Sequence, residues 1–192
     1  MKSTVSFLIG CVVGATSILL YLQNTQKLAI AAEHDTSRLP VALSAGAVSP
    51  GELRIPVMGV GANELRRDFT QPRGGGRSHG AIDIRAPHGT PVIAALDGTI
   101  RKLFTSRDGG ITIYQTDPEE EKIYYYAHLD RYARGLREGD KVARGTVIGY
   151  VGTSGNAPAG APHLHFAVMK LPPTKEWWKG DAIDPYPLLT GN

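Results

Sequence analysis

Near its end the chain contains the stretch His163-Leu164-His165-Phe166-Ala167-Val168, in which histidines alternate with apolar residues. Successive side chains of a β-strand point to opposite faces, so residues two apart share a face with Cα atoms roughly 6 to 7 Å apart. If Pro162 ends a loop and a strand follows, His163 and His165 can converge on one point. The apolar residues between and after them then face the core, as a half-buried strand requires.

Two further groups contain residue types that zinc prefers: His79-Gly80-Ala81-Ile82-Asp83, and His128. The chain has six histidines, and four of them lie in these groups and in the stretch above. A hydrolytic zinc site needs three protein ligands and an open position for water. Each group alone is weak, because a His-x-His pair often lies on the surface and a lone histidine usually has no metal. Together they predict a zinc hydrolase, although spacing does not say whether His163 or His165 binds the metal.

The spacing of His79 and Asp83 predicts a bend between them. A fully extended strand would separate residues four apart by roughly 13 Å, which is too far for two ligands of one ion. Gly80 can adopt backbone conformations that other residues avoid, so we expect the bend there. Residues 82–84 can then begin a strand that directs Asp83 towards the metal.

The remainder of the second half of the chain has the sequence pattern of short strands separated by turns. The 23 glycines and 13 prolines of the chain suit many tight turns. We predict an all-β domain, a compact and mostly antiparallel β-sheet or sandwich with a zinc-containing groove, preceded by an N-terminal hydrophobic helix and a linker. The predicted strands are residues 82–84, 91–94, 98–103, 111–115, 123–127, 146–151 and 163–169.

Three motifs carry a resemblance to a known family: His79-x-x-x-Asp83, Tyr126-Ala127-His128-Leu129 and His163-Leu164-His165-Phe166. In this order they are similar to the signature of the lysostaphin/LytM-type zinc metallopeptidases, which have the duplicated hybrid motif fold. The resemblance extends over approximately residues 52–189. It implies a zinc metalloendopeptidase that hydrolyses peptide bonds in bacterial cell-wall peptidoglycan.

The resemblance also implies a role for each residue of the site. His79, Asp83 and His165 correspond to the ligands of one Zn²⁺ per chain, and His128 and His163 to an unligated catalytic pair. One imidazole can transfer the proton, and a second can stabilise the developing oxyanion. The aromatic residue and the arginine that usually precede the first histidine are present as Phe69 and Arg73, although Gly74-Gly75-Gly76 lengthens that segment.

Two other functions remain to be compared with hydrolysis. The same family contains non-catalytic regulators that have lost ligands and act on other cell-wall hydrolases, but this chain retains all five site residues. Gly139-Asp140-Lys141-Val142 resembles a hairpin of lipoyl and biotinyl carrier domains, but such a carrier has no use for clustered histidines. We therefore expect peptidoglycan peptides as the substrate, with a regulatory envelope protein as a possible further partner.

The charge of the chain favours no nucleic-acid partner. The formal net charge is +3 and the sequence pI is about 9.0, which is a mild excess spread along the chain. We find neither a basic patch interleaved with aromatic residues nor a phosphate-binding loop of the Walker type. A mild positive charge would instead suit an anionic cell-wall polymer.

The N-terminal part predicts attachment to a membrane. Residues 5–22 contain no charged residue, and a mostly apolar helix of eighteen residues can just cross a bilayer. We predict a membrane anchor at residues 1–27, a flexible linker at 28–51 and the metallopeptidase domain at 52–192. The domain is then extracytoplasmic (periplasmic) in the cell envelope. The alternative is a signal peptide cleaved near Ala29-Ile30-Ala31, which would give a secreted protein.

Overall fold

The computed structural model describes residues 53–191, and these residues form β-strands joined by turns. The predicted anchor, its hydrophobic helix and the linker lie outside the described residues, and the predicted domain start at residue 52 stays a prediction. Within residues 53–191, no helix is long and apolar enough to cross a membrane.

Eleven strands and one short helix account for the regular structure of the described part of the chain. Two single 3₁₀ turns occur at Ala62–Glu64 and Gly74–Gly76, and the helix α1 spans Pro185–Thr190. The strands are β1 (Pro72–Arg73), β2 (Arg77–Ser78), β3 (Ile82–Arg85), β4 (Pro91–Ile93), β5 (Gly98–Ser106), β6 (Gly110–Thr116), β7 (Lys122–Tyr132), β8 (Lys141–Val142), β9 (Val147–Val151), β10 (His163–Lys170) and β11 (Asp181–Ile183).

Nine of these strands form one sheet in which every pairing is antiparallel. Its main order is β11-β10-β7-β6-β5-β8, while β3 pairs with β10, and β9 pairs with both β4 and β7. Strands β1 and β2 form a separate hairpin. The prediction of an all-β, mostly antiparallel domain is confirmed, and each predicted strand is present with its ends shifted by a few residues.

The core lies on the face of β3, β7 and β10 that is opposite to the histidines. Leu164 and Phe166 are fully buried, as are Ile82 and Ile84 on the neighbouring strand. Because side chains alternate along a strand, burying these apolar residues turns the residues between them outwards. The core therefore determines which face of β3 and β10 carries polar side chains.

The hydroxyl group of the fully buried Tyr126 is satisfied by hydrogen bonds. The hydroxyl group of Tyr126 donates to Gln115 Oε1 at 2.7 Å and accepts the N–H of Ala95 at 3.0 Å. The amide of Gln115 in turn donates to the carbonyl of Leu96 at 2.8 Å. Since an unpaired buried polar group is costly, this chain of bonds offsets the cost of burying the Tyr126 hydroxyl group.

Candidate metal centre

The pairing of β3 with β10 brings four polar residues together on one face. His165 lies opposite Asp83, and His163 lies opposite Arg85, in the antiparallel register. Directly opposed residues have Cβ atoms about 4.5 to 5.5 Å apart. The two pairs are therefore adjacent, and the predicted convergence of His163 and His165 on one region is observed.

A bend at Gly80 adds His79 to this group. The φ angle of Gly80 is +66°, a left-handed conformation, so the chain bends at the residue where the bend is predicted. The N–H groups of His79 and Gly80 donate to the carbonyls of Gln71 and Phe69, at 2.8 and 2.9 Å. These bonds hold the segment beside the β1–β2 hairpin, and they place the His79 ring against Asp83.

The donor atoms of these three residues form a nearly equilateral triangle. His79 Nε2 is 3.0 Å from Asp83 Oδ1 and 3.1 Å from His165 Nδ1, and the third side is 3.0 Å. Around a tetrahedral zinc, donor atoms lie about 3.3 to 3.6 Å apart. The triangle would need to widen by only a few tenths of an ångström to surround such an ion.

The hydrogen bond of the other ring nitrogen of His79 shows whether its Nε2 atom can bind a metal ion. His79 Nδ1 lies 3.1 Å from the carbonyl oxygen of Asp68, and a carbonyl can only accept, so Nδ1 carries the hydrogen. In neutral His79 the Nε2 atom then has a lone pair directed at the Asp83 carboxylate, which is also an acceptor. Two acceptors this close repel each other unless a proton or a metal ion lies between them, and three such atoms in a triangle fit a metal ion.

Asp83 is held in its ionised form. Burial raises the pKa of its carboxyl group, but the contacts with His165 and His79 outweigh burial and keep that pKa well below its usual value. The second oxygen, Oδ2, accepts a hydrogen bond from Arg73 Nη2 at 2.8 Å. A charge-assisted bond of this kind orients the carboxylate, so that Oδ1 remains directed at the two imidazoles.

Asp68 forms hydrogen bonds with both His79 and Asp83. Its carbonyl accepts from His79, and its Oδ2 accepts the backbone N–H of Asp83 at 3.3 Å. The Oδ1 atom is buried without a hydrogen-bond partner among the described residues and lies 3.6 Å from His79 Nδ1. Burial raises the pKa of this carboxyl group. Asp68 was not among the residues predicted for the site.

His128 approaches the same region from β7 with an unusual backbone. Its φ angle is +60°, which is uncommon for a residue with a side chain and occurs where the pairing of β7 with β6 and β9 shifts register. Its Nδ1 donates to the carbonyl of Ser154 at 2.9 Å, which leaves the lone pair on Nε2. Burial lowers the pKa of His128 to about 4.

His163 has the same tautomer as His128. Its Nδ1 donates to the carbonyl of Ala161 at 2.8 Å, and its Nε2 lies 3.8 Å from Asp83 Oδ1. The ring centroid of His128 is 5.0 Å from that of His163 and 5.6 Å from that of His165. Two imidazoles whose Nε2 atoms have no hydrogen-bond partner among the described residues therefore stand beside the triangle without belonging to it.

Ser154 connects the segments that hold His128. Its hydroxyl group donates to the carbonyl of Leu129 at 2.6 Å and accepts the N–H of Ile111 at 2.9 Å. The next residue, Gly155, packs so closely on the loop before β6 that an added Cβ would lie 2.3 Å from Asp108 O and from Gly110 N. The Gly152-Thr153-Ser154-Gly155 run is thus needed to position His128.

All five predicted site residues line one groove with a volume of about 790 Å³. The ring of Tyr125 also lines it, edge-on to His165 with centroids 6.1 Å apart. Five arginine side chains surround the opening, and three aspartates lie among them. The charged residues of the groove wall are Arg66, Arg67, Arg73, Arg77, Arg85, Asp68, Asp83 and Asp108.

Comparison with known proteins assigns the family. Residues 77–185 match the sequence profile of Peptidase family M23. The chain belongs to this family. It is 38% identical over 121 residues to the L-Ala-D-Glu endopeptidase of Bacillus subtilis (strain 168), and 34% identical over 115 residues to the glycyl-glycine endopeptidase ALE-1 of Staphylococcus capitis. The matches cover 60% and 59% of this chain, but only 36% and 30% of those relatives.

The solved structure of the catalytic domain of lysostaphin from Staphylococcus simulans shares the fold. The TM-score is 0.55 at 30% identity, and the alignment covers 66% of this chain and 92% of the lysostaphin domain. The predicted resemblance to lysostaphin/LytM-type peptidases is therefore confirmed. The assignment of His79, Asp83 and His165 as ligands, and of His128 and His163 as the catalytic pair, stays a prediction that the observed geometry agrees with.

Proposed function

We propose that this chain is a zinc-dependent endopeptidase that hydrolyses peptide bonds in bacterial cell-wall peptidoglycan. One observation carries the proposal: three converging donor atoms of His79, Asp83 and His165 lie beside two imidazoles that are not part of the triangle. Such a set provides metal ligands and proton-transfer groups within one groove. Membership in peptidase family M23 and the endopeptidase names of the relatives support the same reading.

In this proposal His79 Nε2, Asp83 Oδ1 and His165 Nδ1 bind one Zn²⁺. When bound, zinc supplies a Lewis acid that polarises a carbonyl oxygen and lowers the pKa of water towards about 7. Asp68 and Arg73 keep the ligands in position, because each forms a hydrogen bond with the part of a ligand that faces away from the triangle.

His128 and His163 supply the chemistry that the ligands cannot. Each donates its Nδ1–H to a backbone carbonyl, so each presents an unprotonated Nε2 when neutral. One Nε2 can accept the proton of the attacking water and return it to the leaving amine. The other imidazole, once protonated, can donate to the oxyanion that forms from the scissile carbonyl. Neither role requires a glutamate base.

The regulator hypothesis makes the opposite prediction for this site. A non-catalytic relative has no need of a complete donor triangle or of two free imidazoles. Here all five side chains are present, and the rings of His79, His128 and His163 are each oriented by a separate backbone carbonyl. We therefore prefer the enzyme, although a regulatory envelope protein that controls access to the groove remains compatible with it.

Digestion of purified peptidoglycan tests the proposal. The purified full chain, loaded with zinc, should release muropeptides with newly exposed peptide termini, as identified by mass spectrometry. Removal of the metal with a chelator should stop release, and stoichiometric zinc should restore it. If the zinc-loaded chain leaves peptidoglycan intact while a known hydrolase digests the same preparation, the proposal is wrong.

We also propose that residues 5–22 anchor the protein in a membrane and that the peptidase domain is extracytoplasmic. The uncharged apolar segment and a substrate that lies outside the cytoplasm support this placement. Membrane fractionation of cells that express the full chain should recover it in the membrane pellet with its N-terminus intact. A form that lacks this segment and begins near Ala32 would show a cleaved signal peptide instead.

A further inference from the structure

Arginine is concentrated around the groove to an unusual degree. Residues 53–191 contain twelve arginines, and five of them line this one groove, whereas no lysine does. Two of the three aspartates in the wall already interact with the donor atoms: Asp83 contributes one of them, and Asp68 hydrogen-bonds to His79 and Asp83. The opening is therefore positively charged even before a divalent cation is added to it.

Most of these arginines form no ion pair with an acidic side chain in residues 53–191. Arg73 pairs with Asp83, but within the described residues none of the other four forms an ion pair with a carboxylate. Arg67 lies over the ring of Tyr186 with its guanidinium carbon 4.1 Å from the centroid, and Arg77 has only a long contact of 3.5 Å with the carbonyl of Gly74. Their remaining N–H donors are free to bind a ligand.

The strand register places Arg85 next to His163. It lies directly opposite His163 across the β3–β10 pair, and it follows Asp83 by two residues on the same face of β3. The Arg85 side chain is exposed and lines the groove. A substrate whose scissile bond lies at His163 and the triangle therefore passes Arg85 in the same groove.

We propose that Arg85 binds a carboxylate of the substrate next to the scissile bond, so that the preferred substrate is a peptide with an acidic group at that position. A guanidinium group has a planar pair of donors that matches the two oxygens of a carboxylate. Arg66, Arg67 and Arg77 attract the same acidic peptide from further along the groove. This inference rests on the proposed peptidase function and narrows its substrate class.

The endopeptidases of Bacillus subtilis and Staphylococcus capitis illustrate the two substrate classes between which the proposal distinguishes. The name of one describes cleavage at D-Glu, a residue that carries a carboxylate, whereas the name of the other describes cleavage within glycine. A glycine bridge offers no side-chain charge to a guanidinium group. The arginines of this groove favour the acidic class for this chain.

Matched peptides test the proposal on the zinc-loaded full chain. One peptide carries D-Glu with a free carboxylate next to the bond, the second carries the corresponding primary amide, and the third is pentaglycine. We expect kcat/KM for the carboxylate peptide to exceed that for the amide by about tenfold or more, as loss of a charged hydrogen bond implies. Arg85→Gln should bring the two values to within about threefold of each other, and Arg85→Lys should restore part of the preference.

Arg101→Gln is the matched control, because Arg101 is an exposed strand arginine that does not line the groove. It should keep the preference of the unchanged protein. Equal cleavage of carboxylate and amide peptides by the unchanged protein, or an unchanged preference in Arg85→Gln, would overturn the inference while leaving the peptidase function intact. If none of the three peptides nor peptidoglycan itself is cleaved, the proposed function fails, and the inference fails with it.

Discussion

The Nδ1–H group of His79 donates to the backbone carbonyl of Asp68 at 3.1 Å, and this bond directs Nε2 into the triangle of donor atoms. The Asp68 side chain acts on the other ligand, because its Oδ2 accepts the N–H of Asp83. One residue thus orients two ligands that are four positions apart in the chain. The donor triangle depends on the segment before the β1–β2 hairpin as much as on the ligands.

Removal of the Asp68 side chain should weaken zinc binding without removing a ligand. In Asp68→Ala the bond to the Asp83 N–H is lost, and the negative charge 3.6 Å from His79 Nδ1 disappears. Outer partners of metal ligands typically contribute 10- to 100-fold in affinity, so we expect a loss of about tenfold. Competition with a chromophoric chelator measures it.

Asp68→Asn is the matched control, because its amide oxygen can still accept the Asp83 N–H. Its zinc affinity should lie between those of the unchanged protein and Asp68→Ala. Equal affinity in all three proteins would mean that Asp68 merely fills space behind the site.

Two glycines with left-handed backbones should differ strongly in their tolerance of a side chain. An added Cβ at Gly80 would meet only Ala182 Cβ at 3.6 Å, so Gly80→Ala should cost about 1 to 2 kcal/mol, from backbone conformation alone. At Gly155 the same atom would lie 2.3 Å from backbone atoms, so Gly155→Ala should cost about 3 kcal/mol or more. Free energies of unfolding from urea titration compare them; equal costs would contradict the close packing at Gly155.

His128 should make the stability of the metal-free protein depend on pH. Its pKa is lowered to about 4 by burial, whereas an unfolded histidine titrates near 6.5. Between these values the unfolded chain binds the proton and the folded one does not, so His128 lowers stability as pH falls from about 6.5 to about 4. Above pH 6.5 it has no such effect.

His128→Asn isolates this effect, because asparagine tolerates a positive φ angle and its amide can still donate to Ser154. The unchanged protein should lose stability relative to this variant across that pH range, as measured by urea unfolding at several pH values. A difference that stays constant from pH 7 to pH 4 would show that the folded protein protonates His128 as readily as the unfolded chain.

Residue type and spacing predict which residues lie together in the groove, whereas the division into ligands and catalytic groups comes from the resemblance and stays a prediction. The alternation of His163 and His165 with apolar residues predicts both the strand and the shared face, since burial of Leu164 and Phe166 leaves no other orientation. The four-residue spacing of His79 and Asp83 predicts the bend at Gly80. Both predictions depend only on residues that are close together in the sequence, and the structure agrees with them.

The parts that were missed depend on contacts between distant segments. Asp68 acts on Asp83 fifteen residues later, and Ser154 acts on His128 from twenty-six residues away, so neither is visible as a spacing. The left-handed backbone of His128 was also not predicted, because it arises from register shifts in the pairing of β7 with its neighbours. A role for Arg85 in the groove could not be predicted either, because it depends on the strand register that places Arg85 opposite His163.

The division between ligands and catalytic groups is tested most directly by zinc content and hydrolysis rate in the same preparations of His165→Ala, His163→Ala and His128→Ala. His165→Ala should lose its zinc, since it removes one of three ligands. His163→Ala and His128→Ala should retain zinc and the fold but lose peptidoglycan hydrolysis by a factor of at least about 100. Loss of zinc in His163→Ala with retention in His165→Ala would exchange the two roles, and normal hydrolysis by both His163→Ala and His128→Ala would contradict the account.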